Sequence, residues 1–178
     1  MRVLGLDPGS RRTGFGAVER LGNRLRCVEH GCVKPPAAAA LAARLHFIAR
    51  GAGAVMDRLE PDAVVVEEAF FRENVRSALV LGHVRGALLV AAAERGIAVF
   101  EYSPREIKRA VVGNGGAAKE QVGFMVRRLL GLAAEPGADA ADALAGAICH
   151  LLRARSPRAL PARPAAQRLE ALLARSAR

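Results

Sequence analysis

The chain has 178 residues and a mass of 18.8 kDa, the size of one domain that can bury a core without disulfide bonds. It carries 27 Lys and Arg residues against 17 Asp and Glu, which gives a formal net charge of +10 and a pI near 11.0. This excess favours a polyanionic partner such as nucleic acid, although an arginine-rich composition alone also produces it. Three cysteines without a CxxC pair argue against a disulfide framework or a cysteine-held zinc ion.

The sequence predicts neither export nor membrane insertion. Its start has no charged leader followed by a long apolar region. The longest continuous apolar run, Ala87 to Ala93, is far shorter than the roughly 18 residues that a membrane helix needs. An odd number of cysteines fits a reducing compartment. We therefore expect a cytoplasmic protein without a membrane partner.

The first third of the chain predicts strands. Runs of strand-forming residues cover 2–7, 13–19 and 24–33, with turn-forming residues between them at Pro8-Gly9-Ser10 and Leu21-Gly22-Asn23. Links this short join neighbouring antiparallel strands. This part of the chain therefore predicts a three-stranded antiparallel meander.

Helical spacing alternates with short apolar runs along the rest of the chain. The Val-rich run Ala63-Val64-Val65-Val66 is suited to a strand that is buried on both faces. Strands in succession followed by helix–strand alternation predict a mixed α/β sheet with helices on its faces. The predicted elements are a helix over 37–58, a strand over 63–66, a helix over 74–95, a strand over 97–102 and, after Ser103-Pro104, two or three helices of which the last covers 137–153.

The end of the chain differs in composition from the rest. Beyond Arg155 the sequence SPRALPARPAAQRLEALLARSAR is rich in Pro, Ala and Arg. Such a composition predicts a basic tail without a fixed fold. We expect one folded domain over residues 1–155 and a disordered tail over 156–178.

Acidic residues stand at three places where the pattern would suit apolar ones. Asp7 ends the first strand, Glu67 and Glu68 end the Val-rich strand, and Asp139 and Asp142 begin the last helix. A buried carboxylate is costly unless a positive group meets it. The helix pair shares one face, although acids in a first helical turn are also stabilised by the helix dipole alone. Adjacent strand residues face opposite ways, so only one glutamate can share a face with Asp7.

These acids can converge at one edge of a sheet only if cations balance their charge. Mg²⁺ and Mn²⁺ prefer carboxylate oxygens and water as ligands. Two such ions roughly 3.5 to 4 Å apart stabilise both the attacking and the leaving oxygen of a phosphodiester displacement. A basic chain with an acidic cluster therefore suggests a metal-dependent nuclease.

Five segments of the chain, in order, resemble the RuvC family of Holliday-junction resolvases. The resemblance covers about residues 1–152 and rests on the order and spacing of all five segments. They read LGLDPGSRRTGFG, VVVEEAFFREN, SALVLGHVRGA, VFEYSPREIKRAVVGNGGAAKEQV and PGADAADALAGAICH.

The resemblance implies a ribonuclease-H-like α/β fold, with a central mixed sheet flanked by helices. It implies a homodimer that makes paired, symmetric, metal-dependent incisions in four-way (Holliday) DNA junctions during recombination and repair. It also implies that Asp7, Glu67, Asp139 and Asp142 are the catalytic acids and hold two Mg²⁺ ions per subunit, with Mn²⁺ as the alternative. Asp7 would bridge both ions, Glu67 would serve one, and the helix pair the other. The family pattern selects Glu67 rather than Glu68.

Several DNA contacts are implied in the same way. Phe70 corresponds to a ring that stacks on an unpaired base, although core packing is the alternative for either of the two adjacent phenylalanines. Lys108 and Lys119 correspond to basic positions that line the DNA cleft, and ordinary solvated lysines are the alternative there. Arg72 and Asn114 are further candidates for DNA contacts.

The helix over 74–95 corresponds to the family's dimer interface, with burial against its own sheet as the alternative. A two-fold DNA substrate requires two sites, and a branch-migration motor complex is the further partner that the resemblance implies. The rival functions are an actin-like ATPase or sugar kinase, a non-catalytic junction-binding relative and an RNA-strand nuclease. ATP turnover would identify the ATPase or kinase, and cleavage of an RNA–DNA hybrid would identify the RNA-strand nuclease. A non-catalytic relative would have lost acids, whereas all four acids are present in this sequence.

Overall fold

Residues 1–68 and 75–154 are the part of the chain that the computed structural model describes. Within this part, strands form one sheet and helices cover its two faces. The strands are β1 (Arg2–Asp7), β2 (Thr13–Leu21), β3 (Arg24–Val33), β4 (Ala63–Glu67) and β5 (Ala98–Tyr102). The helices are α1 (Leu41–Leu59), α2 (Val75–Ala93), α3 (Pro104–Val112), α4 (Lys119–Leu130) and α5 (Ala138–Arg153).

The sheet is mixed, with the strand order β3-β2-β1-β4-β5. Strand β2 is antiparallel to β1 and β3, and β4 is parallel to β1 and β5, which confirms both the predicted meander and the mixed sheet. Leu6 of β1 pairs with Val66 of β4. Asp7 and Glu67, the next residue of each strand, therefore leave the sheet at the same edge.

The core lies in two clusters, one on each face of the sheet. Val65 and Leu144 belong to the cluster under α3, α4 and α5. Val64, Ile48 and Leu88 belong to the cluster under α1 and α2. Because strand side chains alternate between faces, β4 supplies both clusters, as its Val-rich sequence predicted.

Several boundaries differ from the sequence prediction by one to four residues, and two of them have a clear structural cause. Helix α1 begins at Leu41, later than predicted, because the Pro36 carbonyl accepts a hydrogen bond from the Ala39 N–H at 3.2 Å and forms a turn instead. Strand β2 continues through Leu21 because the β2–β3 hairpin turns tightly around Gly22, whose φ is 59°.

Helix α2 is more apolar than its interrupted sequence suggested. By length and composition alone it would suffice to cross a membrane, with a mean hydropathy of 1.4 over its most apolar window. The helix is apolar over a longer stretch than its longest continuous run, Ala87 to Ala93, because polar residues such as His83 interrupt that run without lowering the mean hydropathy much. One such helix is weak evidence of a membrane span, since core helices pass the same test. Only 22% of the window is buried, and Val75, Leu79 and Val90 are 72%, 61% and 57% exposed.

Helix α5 lies directly on the sheet because a glycine leaves room for its backbone. A Cβ atom on Gly5 of β1 would stand 1.8 Å from the carbonyl oxygen of Ala143. The small residues of the sequence ADAADALAGA allow this approach, and most of α5 after its first turn is buried. The contact fixes the start of α5 near the carboxyl end of β1, where Asp7 lies.

Replacing Gly5 with alanine will destabilise the fold, because a methyl group there requires α5 to move. We expect the melting temperature to fall by several degrees or more, measured by circular dichroism. Gly116→Ala in the loop between α3 and α4 is the matched control, since a Cβ atom there would meet only Asn114 Oδ1, at an ordinary contact distance of 3.6 Å. We expect this variant to melt close to wild type. Equal melting of Gly5→Ala and wild type would contradict the contact between α5 and β1.

Candidate active site

A cleft opens at the carboxyl ends of β1 and β4 and is walled by α3, α4 and α5. Its volume is about 380 Å³. Apolar side chains of the three helices form part of its lining, and the charged residues that line it are Asp7, Glu67, Asp142, Lys108 and Lys119. All five were predicted as metal or DNA ligands from the sequence. Folding therefore brings residues from distant parts of the chain into one cleft.

The alternation of side chains along β1 and β4 brings Asp7 and Glu67 into the cleft. Gly5 contacts α5, and Asp7 lies two residues further along the same face. Val65 packs in the cluster under α5, and Glu67 lies two residues beyond it. Glu68 is exposed, and its backbone N–H is hydrogen-bonded to β5 at 3.0 Å. The geometry thus places Glu67, rather than Glu68, beside Asp7.

The two acids of α5 have different surroundings. Asp142 lines the cleft, where Lys119 Nζ donates a hydrogen bond to its Oδ2 at 2.8 Å. Asp139 is not among the residues that line the cleft. Its Oδ2 accepts a hydrogen bond from the Cys32 thiol at 3.9 Å and lies 4.0 Å from Arg12 Nη1. The spacing of three residues predicted a shared helix face, but the β1–β2 turn and β3 supply separate partners for Asp139.

Burial and the neighbouring acids raise the pKa of Asp7 to about 7. Burial is the largest cause, followed by the charges of Asp142, Glu67 and Asp139, while the charge of Lys119 acts in the opposite direction. The hydrogen bond from Lys119 to Asp142 is in turn the main cause that raises the pKa of this lysine. Ionisation of all the acids together is therefore unfavourable unless a further cation lies among them.

The donor atoms of the cleft fit a hard divalent cation, because they are carboxylate oxygens. Within residues 1–68 and 75–154, no three acidic, histidine or cysteine side chains stand close enough together to enclose one ion. A closed set of protein ligands is not what Mg²⁺ requires, since it keeps several waters and binds through one or two carboxylates. The cleft therefore meets the chemical requirement of such an ion.

Arg12 and Cys32 were not predicted as site residues. Burial, followed by the charge of Asp139, raises the pKa of Cys32, so its thiol is protonated at neutral pH and can donate a hydrogen bond. The contact arises because α5 approaches β2 closely: a Cβ atom on Gly14 would lie 2.1 Å from the carbonyl oxygen of Asp139. The glycines of the sequence TGFG were the available signal of a close approach, but they do not identify the partner.

The other predicted DNA ligands are only partly described. Phe70, Arg72 and the predicted tail over 156–178 lie outside the described residues. Asn114 is exposed at the end of α3, and its Oδ1 accepts a hydrogen bond from the Gly116 N–H at 3.0 Å. This side chain therefore shapes the loop between α3 and α4, and its contact with DNA stays a prediction.

Residues 3–150 match the family described as crossover junction endodeoxyribonuclease RuvC. The chain belongs to the RuvC family. Family members of that name from Geobacter sulfurreducens and Frankia alni are 49% and 50% identical to it over 150 and 175 residues. These alignments cover 84% and 93% of this chain and 92% and 89% of the relatives. The family resemblance of the sequence is confirmed.

Solved structures of the RuvC family share the fold. Thermus thermophilus RuvC, 40% identical, matches with a TM-score of 0.80 over 87% of this chain and 96% of its own. The same protein in complex with Holliday junction substrate matches with a TM-score of 0.83 over 87% and 95%. These matches confirm the predicted ribonuclease-H-like fold. The yeast mitochondrial Holliday junction resolvase, 11% identical with a TM-score of 0.61 over 84% and 78%, is similar in fold alone.

Replacing Asp7 with asparagine will stabilise the metal-free protein at neutral pH. The pKa of Asp7 is about 7 in the folded chain and has an ordinary value of 3.8, so the folded chain holds a proton that the unfolded chain releases between these values. The stability that depends on Asp7 is therefore fully present below the lower value and is lost as pH rises to the upper one. With EDTA, we expect Asp7→Asn to melt several degrees above wild type at about pH 8.

The difference in melting temperature should shrink as the pH falls toward about 4, because wild-type Asp7 is then neutral in the folded chain and increasingly protonated in the unfolded chain as well. Glu68→Gln is the matched control, since it removes an exposed acid next to the cleft. Melting curves of the two variants that change in parallel with pH would contradict the burial of Asp7 among other acids.

Proposed function

We propose that this chain is an endonuclease that resolves four-way (Holliday) DNA junctions in recombination and repair. The observation that carries the proposal is the cleft in which three carboxylates and two lysines meet in a member of the RuvC family. Its relatives bear the name crossover junction endodeoxyribonuclease, and Thermus thermophilus RuvC was solved with a Holliday junction substrate. The alignments cover nearly the whole length of these relatives, which supports extending the activity to this chain.

The proposed reaction depends on divalent metal, with two Mg²⁺ ions per subunit and Mn²⁺ as the alternative. Asp7 and Glu67 would hold the metal from the sheet, and Asp142 and Asp139 would hold it from α5. Bound metal would supply an activated water and neutralise charge on the phosphodiester. The pKa of Asp7, about 7, supports this assignment because burial and the nearby acids both disfavour its ionised form, which a cation among the acids would stabilise.

The lysines of the cleft would bind and orient the DNA strand. Lys108 and Lys119 line the same cleft as the acids, on α3 and at the start of α4. An ammonium group is a suitable ligand for a phosphate oxygen, and the net charge of +10 attracts DNA from a longer distance. The proposed contacts of Phe70, Arg72 and Asn114 rest on the family resemblance of the sequence.

We infer that two copies of the chain associate through α2. Val75, Leu79 and Val90 are exposed on this helix, and a surface of this kind is stabilised when another apolar surface covers it. A four-way junction has approximate two-fold symmetry, and an isologous pair of subunits would present one cleft to each of two strands. Burial against its own sheet, the alternative, accounts for only part of the helix, including Val84 and Leu88.

Three further features of the proposal rest on the resemblance and on composition. A branch-migration motor complex is the proposed protein partner, and the cytoplasm is the proposed location. Residues 156–178 carry five arginines and one glutamate, and we propose that they form a tail that adds phosphate contacts.

Cleavage of a labelled synthetic four-way junction tests the proposed function. With Mg²⁺ or Mn²⁺, we expect wild type and Glu68→Gln to cut the junction at similar rates, because Glu68 lies outside the cleft. Asp7→Asn and Glu67→Gln should lose cleavage by at least about a hundredfold, since each removes a proposed metal ligand. Junction binding should stay within about tenfold of wild type because the basic surface is unchanged.

The controls for this assay address the rival functions. Cleavage that continues in EDTA would contradict the metal requirement, and full activity of Glu67→Gln would remove this residue from the site. Faster cleavage of an RNA–DNA hybrid than of the junction would favour the RNA-strand nuclease. ATP turnover without DNA cleavage would favour the ATPase.

A charge in the middle of the α2 surface will separate the proposed dimer. Leu79 is 61% exposed, so an aspartate fits the isolated chain but would be buried without a partner charge in the interface. We expect Leu79→Asp to be monomeric at micromolar concentration, where wild type is dimeric, by light scattering. Phe124→Asp on α4 is the matched control, since Phe124 is 56% exposed and lies on the other face of the sheet. Equal masses of all three proteins would contradict an interface on α2.

A further inference from the structure

Asp139 occupies a place apart from the other three acids. Its backbone lies on β2, where Gly14 leaves room for it, whereas Asp142 reaches the cleft one turn later. The Asp139 side chain is 34% exposed and meets groups from the β1–β2 turn and from β3. Its negative charge still raises the pKa of Asp7, so the two carboxylates are near enough to interact.

The contacts of Asp139 converge on one oxygen atom. The Cys32 thiol donates a hydrogen bond to Oδ2 at 3.9 Å, and Arg12 Nη1 lies 4.0 Å from the same oxygen. These groups reach α5 from the side of β2 and β3, away from the lysines of the cleft. Each acid of α5 therefore has its own protein cation, Lys119 for Asp142 and Arg12 for Asp139.

We propose that Arg12 and Cys32 are positioning residues that hold Asp139 and compete with divalent metal for its carboxylate. This inference rests on the proposed function, because it concerns a metal ligand of that site. Arg12 offsets the charge of Asp139 and so reduces its attraction for a cation in the cleft. The Cys32 thiol is neutral and orients the carboxylate toward the strands. Metal that binds through Oδ2 of Asp139 must displace both contacts.

The size of the effect follows from the exposure of the pair. The Arg12 side chain is 63% exposed and stands at the limit of ion-pair distance, so its attraction for Asp139 is weak. Removing it should tighten metal binding by about two- to fivefold. A larger gain is not expected, because water replaces the guanidinium around the free carboxylate oxygen.

Binding of Mn²⁺ to the full chain without DNA tests this inference, followed by electron paramagnetic resonance and isothermal titration calorimetry. We expect Arg12→Ala to bind Mn²⁺ about two- to fivefold more tightly than wild type. Arg11→Ala is the matched control, since Arg11 is the adjacent exposed arginine and carries the same charge. Equal tightening by the two variants would show a general loss of positive charge and would overturn the role of Arg12.

A double-mutant cycle tests whether Arg12 acts through Asp139. Asp139→Asn alone should weaken Mn²⁺ binding, and Arg12→Ala should have no further effect in that background. A gain that persists without the carboxylate would overturn the inference. Cys32→Ala should also tighten binding, by less than Arg12→Ala, because the thiol carries no charge.

The measurement separates this inference from the proposed function. If wild type does not bind Mn²⁺, or if Asp7→Asn binds it equally well, the proposed metal site itself fails. If Asp7→Asn weakens binding but Asp139→Asn and Arg12→Ala leave it unchanged, the metal site stands and the inference about Arg12 fails. Thermal melting of each variant confirms that the change in binding does not come from unfolding.

Discussion

The close contact between α5 and the first two strands determines where the acids of the cleft lie. No side chain separates the helix backbone from β1 at Gly5 or from β2 at Gly14. Any larger residue at these positions would lift the helix and carry Asp139 and Asp142 away from Asp7. The parallel pairing of β1 with β4 supplies the other part of the site, since it places Glu67 at the same edge. The position of every acid thus follows from backbone packing rather than from contacts among the acids themselves.

The cluster of acids around Asp7 lowers the stability of the folded chain. The same packing that brings the acids together also buries Asp7 and places three other negative charges near it, which is why its pKa rises to about 7. Lys119 reduces the repulsion only in part, although its ammonium group contacts Asp142 at 2.8 Å. A residue that served only the packing of the core would not be an acid in such surroundings. The conflict between local stability and the retention of the acids is the physical reason to regard the cluster as a functional site.

Local sequence patterns predicted the sheet and the acids that stand in place of apolar residues, whereas Lys108 and Lys119 of the cleft were predicted only by the family resemblance. Strands β1 and β3 match their predicted ranges, and the period of two along β4 explains why Glu67 rather than Glu68 reaches the cleft. The contact of Asp139 with Arg12 and Cys32 was not predictable in this way, since three segments far apart in sequence must meet. The uncovered face of α2 was expected only from the family resemblance, because an apolar composition by itself does not distinguish a buried helix from an uncovered one.

The chain as a whole is positively charged, whereas its cleft is lined by three acids and two lysines. The two sets of charges act on DNA at different distances. The net charge of +10 attracts DNA over roughly the Debye length, about 8 to 10 Å at physiological salt. Within the cleft, a phosphate would instead meet Asp7, Glu67 and Asp142 at contact distance, where repulsion in a partly desolvated site is strong. Lys108 and Lys119 cannot neutralise three carboxylates and a phosphate together. Under the proposed function, a phosphate would therefore enter the cleft only with additional positive charge, so binding of metal and binding of a DNA strand in the cleft would favour each other.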